Sequence, residues 1–389
     1  MNLDFSVEER AFRDEARTWL RENYPDTPRP EGGAAMREYD TQWQRRQYEG
    51  GWAGVAWPVE YGGRGASLLQ QMIWYEEYAK TGARDLDSCF VGLYHAGPTL
   101  MARASEEQRA FHLAPILRGD VVWCQGFSEP GAGSDLAGLR TSAELDGDEL
   151  VVTGQKLWTS FADIADYQEL LVRTDRNGSR HQGLTWVVCD MRSPGITVRP
   201  IETIEHSSHF CEVFYDEVRI PVHNVVGGLG NGWSVAMSTL SFERGTSFAV
   251  GQVQLASLLE EVIALAAEVT GPDGRRPALA DDEMARELAT ARAEVAALRS
   301  MMYASVSRNA RLPQPGPEGS MIKLYFSELR QRVCRLAMEI LGAQGWRWQP
   351  VHGKAWYHEY LLSYAMTIGG GTSEIQRNII GERVLGLPR

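Results

Sequence analysis

Leu145-Asp146-Gly147-Asp148-Glu149-Leu150-Val151-Val152 marks the point where the periodicity of the chain settles to two. Asp-Gly between two runs supplies the left-handed backbone that a two-residue hairpin turn needs, so Leu150, Val151 and Val152 begin a return strand. Outward from this turn the pattern repeats. Leu170 to Arg173, Leu184 to Val188, Ile196 to Val198 and Cys211 to Ile220 read as further short strands, spaced as in an all-β barrel or sandwich. No helical pattern intervenes, which argues against a parallel dinucleotide-binding sheet.

On both sides of this β zone the period is helical. Towards the start, Ser6 and Glu9 form a capping box, and Phe12, Ala16, Trp19 and Leu20 then recur along one helix face. Pro25, Pro28 and Pro30 open a loop, and Pro58 with Gly62-Gly63 marks an irregular segment before the apolar stretch from Leu68 to Tyr78. Towards the end, Leu255, Leu258, Leu259, Val262 and Leu265 line one helix, and Met284, Leu288, Ala291, Val295, Leu298 and Met302 line a second. A third carries Ile322, Phe326, Leu329, Val333, Leu336 and Ile340, after a Pro- and Gly-rich loop from Pro313 to Gly319. Long helices in this order predict a four-helix bundle. The predicted fold is thus α+β in three domains: a helical domain over 1–120, a β-barrel or sandwich over 121–230, and a bundle over 231–389.

Composition narrows the function. Of 389 residues, 39 are basic and 51 acidic, a net charge of −12, while 43% are hydrophobic and 23% charged. That balance fits a globular chain and argues against a nucleic-acid partner, which needs clustered Lys and Arg. The start lacks a basic stretch followed by an apolar run, so no secretory signal is expected. No uncharged run approaches the ~18–20 residues of a membrane span, so no membrane partner is expected. The five cysteines (Cys89, Cys124, Cys189, Cys211, Cys334) are scattered without a C-x-x-C pair. They read as buried small residues in a reducing cytoplasm, neither disulfides nor a zinc site. His206 and His209 lack the frame of a metalloprotease helix, and no metal is expected. Gly228-x-Gly230-x-Gly232 continues into Trp233, and Gly126-Phe127-Ser128-Glu129 continues into Pro130. Neither a dinucleotide fingerprint nor a nucleophile elbow is complete.

Three segments carry more specific chemistry. Phe127-Ser128-Glu129-Pro130-Gly131-Ala132-Gly133-Ser134-Asp135 is a compact turn whose N–H groups can donate to a heterocycle or a phosphate, or an ordinary Gly turn. Gly154-Gln155-Lys156-Leu157-Trp158-Thr159-Ser160 sets a Trp among hydroxyls at a strand end, where it can pack on a planar ring or in a core. Ile368-Gly369-Gly370-Gly371-Thr372-Ser373-Glu374-Ile375-Gln376-Arg377 opens the last helix with free amides, as an anion site or a plain junction would.

In this order the three segments resemble the acyl-CoA dehydrogenase family. The resemblance runs from the Trp57-Pro58-x-Glu60-Tyr61-Gly62-Gly63 loop through Gly97-Pro98 and Glu107-Gln108 to Gly386. It implies FAD bound at the interfaces of a homodimer or homotetramer. Phe127 and Ser128 then lie at the isoalloxazine ring, with Trp158 stacked on it and Ser160 bonded near its reactive nitrogen. Thr372 and Glu374 fall at the diphosphate and adenosine, and Ser134 falls near the CoA thioester. Ser replaces the commoner Thr at 128 and 160, keeping the hydroxyl, and Glu374 stands where Gln is common.

The implied reaction is α,β-dehydrogenation of an acyl-CoA: a Glu takes the α-proton, the β-hydride goes to flavin N5, and an electron-transfer flavoprotein accepts the electrons. The family's usual base position is Gly370 here, which leaves only a backbone N–H for the thioester carbonyl. A minority of relatives carry the base early in the C-terminal domain before an Arg, matching Glu243-Arg244. A base there leaves room at the α,β carbons, which suggests a branched or bulky acyl chain such as a steroid side chain. For the across-interface FAD contacts, Arg275 stands in a Gly274-Arg275-Arg276-Pro277 segment unlike the usual one. Ala343 lies in the expected Gly-rich turn, and Glu339 replaces Gln. Two other readings stay open: an acyl-carrier-protein dehydrogenase of a biosynthetic pathway, and a catalytically silent subunit of a mixed oligomer.

Overall fold

A computed structural model describes residues 4–83, 87–175, 178, 180–242, 248–271, 274–311, 316–347, 350–351 and 353–388. In chain order, helices α1 (Val7–Asn23), α2 (Gly33–Glu49), α3 (Leu68–Lys80), α4 (Gly97–Arg103) and α5 (Glu106–Arg118) come first. Strands follow: β1 (Trp123–Gly126), β2 (Ser142–Asp146), β3 (Glu149–Ser160), β4 (Tyr167–Arg173), β5 (Leu184–Asp190), β6 (Ile196–Ile201), β7 (Phe210–Pro221) and β8 (Val225–Val226). Helices close the chain: α6 (Gly232–Phe242), α7 (Phe248–Glu268), α8 (Asp282–Asn309), α9 (Gly319–Leu341), α10 (Trp356–Met366) and α11 (Ser373–Ile379). The α–β–α order is the one predicted. In space the chain forms two compact units, one of Asn23–Ala66 and Leu86–Glu243, the other of Met1–Glu22, Ser67–Asp85 and Arg244–Arg389.

The first unit is built on a single sheet of order β6-β7-β3-β2-β4-β5-β8, with β1 parallel to β4. The Asp146-Gly147 hairpin is there: Asp146 pairs with Glu149, and Gly147 takes φ +63°. All strands therefore share one hydrogen-bonded sheet, with β6 and β8 at the ends of the pairing path. Alternation holds on β3, where Leu150 and Val152 are fully buried. It fails on β5, buried continuously from Leu184 to Cys189, because both faces of that strand are covered. Leu171, Trp186 and Val188 pack with Trp57, Leu100, Ile116 and Trp123 on one face. Leu170, Val172 and Val187 pack with Leu150, Val213 and Val218 on the other.

Three of the twelve Trp residues, Trp57, Trp123 and Trp186, lie buried in this core. Trp57 is buried and its indole N–H donates to the Leu93 carbonyl at 2.9 Å. Gly97 is required there, since a Cβ would stand 2.1 Å from the Trp57 ring. His112 of α5 lies edge-on between Trp123 and Tyr167, with ring centroids 5.2 Å from each. Burial pushes its pKa from 6.5 down to about 4. Between those values the unfolded chain binds a proton that the folded one refuses, so stability falls as pH drops through that window. The cost at pH 5 is about 2 kcal/mol. Denaturant midpoints at pH 7 and pH 5 should differ by less in His112→Phe than in the unsubstituted chain. Equal pH sensitivity in both overturns this.

In the second unit α7, α8 and α9 pack on one another, α10 lies along α9, and α3 joins against α7 and α8. The predicted capping box forms: Ser6 N–H donates to Glu9 at 2.6 Å and Glu9 N–H to Ser6 Oγ at 3.1 Å. Among the described residues one helical stretch, Ala249–Glu268, is long and apolar enough to cross a membrane; Glu260 and Glu261 interrupt its apolar run and Glu268 ends it. Its most apolar window is 56% buried within the protein, as a core helix would be.

α3 is buried nearly throughout, including Glu76 and Glu77. Glu76 accepts from Arg13 of α1 at 3.0 Å, and from Arg299 of α8 at 2.9 Å. The Tyr303 hydroxyl donates to it at 2.8 Å. Glu77 accepts from Arg17 at 2.9 Å and Lys80 at 2.7 Å. Burial alone would raise the Glu77 pKa, but these two cations outweigh it and hold the carboxyl below its usual range.

Candidate active site

The Ser128 turn leaves β1 and folds back sharply: Glu129 N–H donates to the Ala132 carbonyl at 3.0 Å and Ala132 N–H returns the bond at 3.1 Å. Ser128 is tied to β3, its carbonyl accepting the Leu157 N–H at 2.9 Å. Next along β3 comes Trp158. Lys156 pairs with Val213 of β7 and Thr159 with Cys211, so Leu157 and Trp158 together stand opposite one residue. That bulge puts Trp158 at φ +62°, a left-handed conformation costing a bulky residue about 1–3 kcal/mol. It also turns the indole outward, 55% exposed, braced edge-on by Phe210 at 5.8 Å. Bulges re-aim side chains in this way beside functional sites.

Ser128 and Ser160 are half-buried, and neither hydroxyl has a hydrogen-bond partner among the described residues. An exposed aromatic side chain on a strand that also carries Ser160 and is bonded to Ser128 fits a flat heterocycle with polar edges. The Leu157 N–H bond thus places Ser128 beside the strand that carries Trp158 and Ser160. Phe127 is buried, and Ser134 is exposed on the same turn region.

The residues that hold this turn were missed from the sequence. Lys156 is fully buried, and its ammonium donates to Glu129 at 2.9 Å and to the Phe127 carbonyl at 3.0 Å. Burial lowers its pKa to about 8, against the opposing pull of Glu129. Burial pushes Glu129 up, but Lys156 and the bonds from Thr141 and Arg140 outweigh it and hold the carboxyl low. A signal existed: Lys156 falls in phase with Leu150 and Val152 on the inward face of β3.

In the other unit, Gly370 and Gly371 take φ +65° and +91°, which a side chain would resist. Gln376 donates to the Gly370 carbonyl at 2.9 Å, and Lys323 to the Gly371 carbonyl at 2.7 Å. With trans peptides, these bonds send the Gly371 and Thr372 N–H groups the opposite way. The Gly370 N–H has no partner among the described residues. The Thr372 hydroxyl accepts from Ile375 N–H at 3.3 Å and caps α11. Glu374 is exposed, its carboxyl held low by its own backbone N–H and by Thr372. Ala343 lies in a one-turn 3-10 segment after α9, and Glu339 is exposed and paired with Arg335 at 3.3 Å. Arg275 is exposed on the turn after α7. Glu243 and Arg244 lie outside the described residues. Among the described residues no cluster of three metal-ligating side chains occurs.

Three family models match the chain: the acyl-CoA dehydrogenase N-terminal domain at 6–120, middle domain at 124–218 and C-terminal domain at 230–385. The chain is 40% identical over 386 residues to acyl-CoA dehydrogenase IpdE1 of Mycobacterium tuberculosis, covering 97% of each. It is similar to the ChsE4-ChsE5 complex of Mycobacterium tuberculosis, at 32% identity and a TM-score of 0.83 over 100% of both chains. It is likewise similar to the Tcur3481-Tcur3483 steroid acyl-CoA dehydrogenase, at 31% identity and a TM-score of 0.86 over 100% of both. Matches of this extent lead to one conclusion: the chain belongs to the acyl-CoA dehydrogenase family of FAD-dependent oxidoreductases.

Proposed function

We propose that this acyl-CoA dehydrogenase introduces an α,β double bond into the CoA thioester of a branched or ring-bearing acyl group, such as a steroid side chain. The observation that carries the reading is Gly370, a bare left-handed glycine where the family's usual base stands. The full-length likeness to a protein named as a steroid acyl-CoA dehydrogenase supports the same substrate class. Glu243, directly before Arg244 in the sequence, takes the α-proton. The Gly370 N–H donates to the thioester carbonyl and stabilises the enolate as it forms. Trp158 packs on the flavin face while Ser128 and Ser160 donate to its edge. Bound FAD supplies the acceptor for the β-hydride at N5. Thr372 and Glu374 contact its diphosphate and adenosine, Arg275, Glu339 and Ala343 meet it across a subunit interface, and Ser134 lies near CoA.

Three domains, 1–120, 121–230 and 231–389, carry these groups, and electrons leave to an electron-transfer flavoprotein. The five buried, unpaired cysteines accord with a cytoplasmic setting. The test is an anaerobic titration of the yellow protein with straight, branched and steroid-bearing acyl-CoAs and one acyl-carrier-protein thioester. Flavin bleaching by bulky CoA thioesters is expected. Bleaching confined to short straight chains removes the substrate assignment, and preference for the carrier protein moves the enzyme to biosynthesis.

A second reading has one specific support, that two similar structures are named as two-protein complexes. In that case the chain works in a mixed oligomer in place of a homodimer or homotetramer. A chain that purifies alone with FAD and is reduced by substrate excludes the silent-subunit form.

A further inference from the structure

Lys156 and Glu129 form an ion pair that takes no part in the chemistry just described. Such pairs are weak grounds for stability, because apolar replacements of equal volume are often neutral or better. Their placement suggests another use. The Phe127 carbonyl is held by Lys156 and the Ser128 carbonyl by the Leu157 N–H. Both peptide planes flanking the Ser128 Cα are therefore fixed, and with them the direction of its Cβ. The trans peptide held by Lys156 also turns the Ser128 N–H away from the ammonium and polarises it. The two residues doing the holding, Lys156 and Leu157, directly precede Trp158 on the strand. Glu129 completes the clamp, accepting from Arg140 N–H at 2.6 Å and Thr141 N–H at 2.8 Å.

We propose that Lys156 and Glu129 are positioning residues for the flavin, setting the Ser128 hydroxyl and amide at a fixed spacing from the Trp158 face. This rests on the reading of Ser128 and Trp158 as flavin contacts. It is tested in the holoenzyme by the rate of FAD release, followed as rising free-flavin fluorescence, and by the visible flavin spectrum. The variants are Ser128→Ala, Lys156→Met, Glu129→Gln, and each of the latter two combined with Ser128→Ala.

Lys156→Met and Glu129→Gln should each speed release about tenfold or more and alter the flavin band. Ser128→Ala alone should also speed release, yet add nothing to either clamp variant, because the hydroxyl it removes is already misplaced. Effects that simply multiply, or release at the unsubstituted rate, overturn the proposal. Should Lys156→Met fail to fold, Glu129→Gln carries the cycle, since it keeps the side-chain volume. Failure of both to fold marks the pair as structural and overturns it as well. A chain that holds FAD but bleaches with no thioester refutes the substrate reading while leaving this cycle measurable, and a chain that holds no FAD refutes both.

Discussion

Glu243→Gln is expected to leave the protein yellow while slowing its reduction by acyl-CoA by about 10²- to 10⁴-fold, the usual contribution of a positioned general base. The amide matches the carboxylate in shape but cannot accept the α-proton. Where relatives place a carboxylate just before the Gly-Thr pair, this chain has Gly370 with φ +65°, and no side chain can take the proton from there. In the sequence Glu243 directly follows the last residue of α6 and precedes Arg244, the order that the family resemblance singles out for the alternative base. Stopped-flow bleaching at saturating substrate reads the effect on the chemical step. Unchanged bleaching, with FAD retained, removes Glu243 as the base and returns it to a simple ion pair with Arg244.

The largest stability effect is expected at Glu76. Glu76→Ala leaves Arg13, Arg299 and Tyr303 without the carboxylate they share, and removing one member of a buried charged network costs about 3 kcal/mol or more. The lower end applies here, because the Arg299 side chain is 49% exposed and can turn to water. Glu76→Gln should cost less, since the amide oxygen still accepts from Tyr303. Denaturant unfolding of the three proteins gives the ordering, and a cost below about 1 kcal/mol for Glu76→Ala would show the network to be dispensable. The neighbouring Glu77 adds a pH signature. Its pKa is depressed in the folded state, so its contribution is present at neutral pH and is lost as pH falls through the acid range.

These two sites differ in how legible they are. Glu243 is visible only as sequence, from a motif and from the glycine that replaces its alternative. Glu76 and Glu77 are nearly silent as sequence, because two adjacent acids in a helix ordinarily read as a solvated face. They are buried because α3 is enclosed by α7 and α8, and cations arrive from α1 and α8 to neutralise them. Lys156 is an intermediate case. Its inward phase on β3 was readable, but its partner Glu129 comes from the far side of a turn.

Local chemistry accounts for what could be read directly. The Asp146-Gly147 hairpin, the Ser6-Glu9 box and the stripes of α7, α8 and α9 each depend on residues a few positions apart, so spacing alone specifies them. The α–β–α order and the acidic, cysteine-unpaired character follow in the same way. The exposure of Trp158 does not. Its left-handed φ arises from a register shift against β7, and pairing between distant strands is set by how the whole sheet closes its hydrogen bonds. The same holds for the continuous burial of β5, since covering both faces of a strand requires layers that no single segment encodes. What a residue is near in the chain was written in the sequence. What it faces across the sheet or the bundle came from packing, because burial energy belongs to surfaces brought together from far apart.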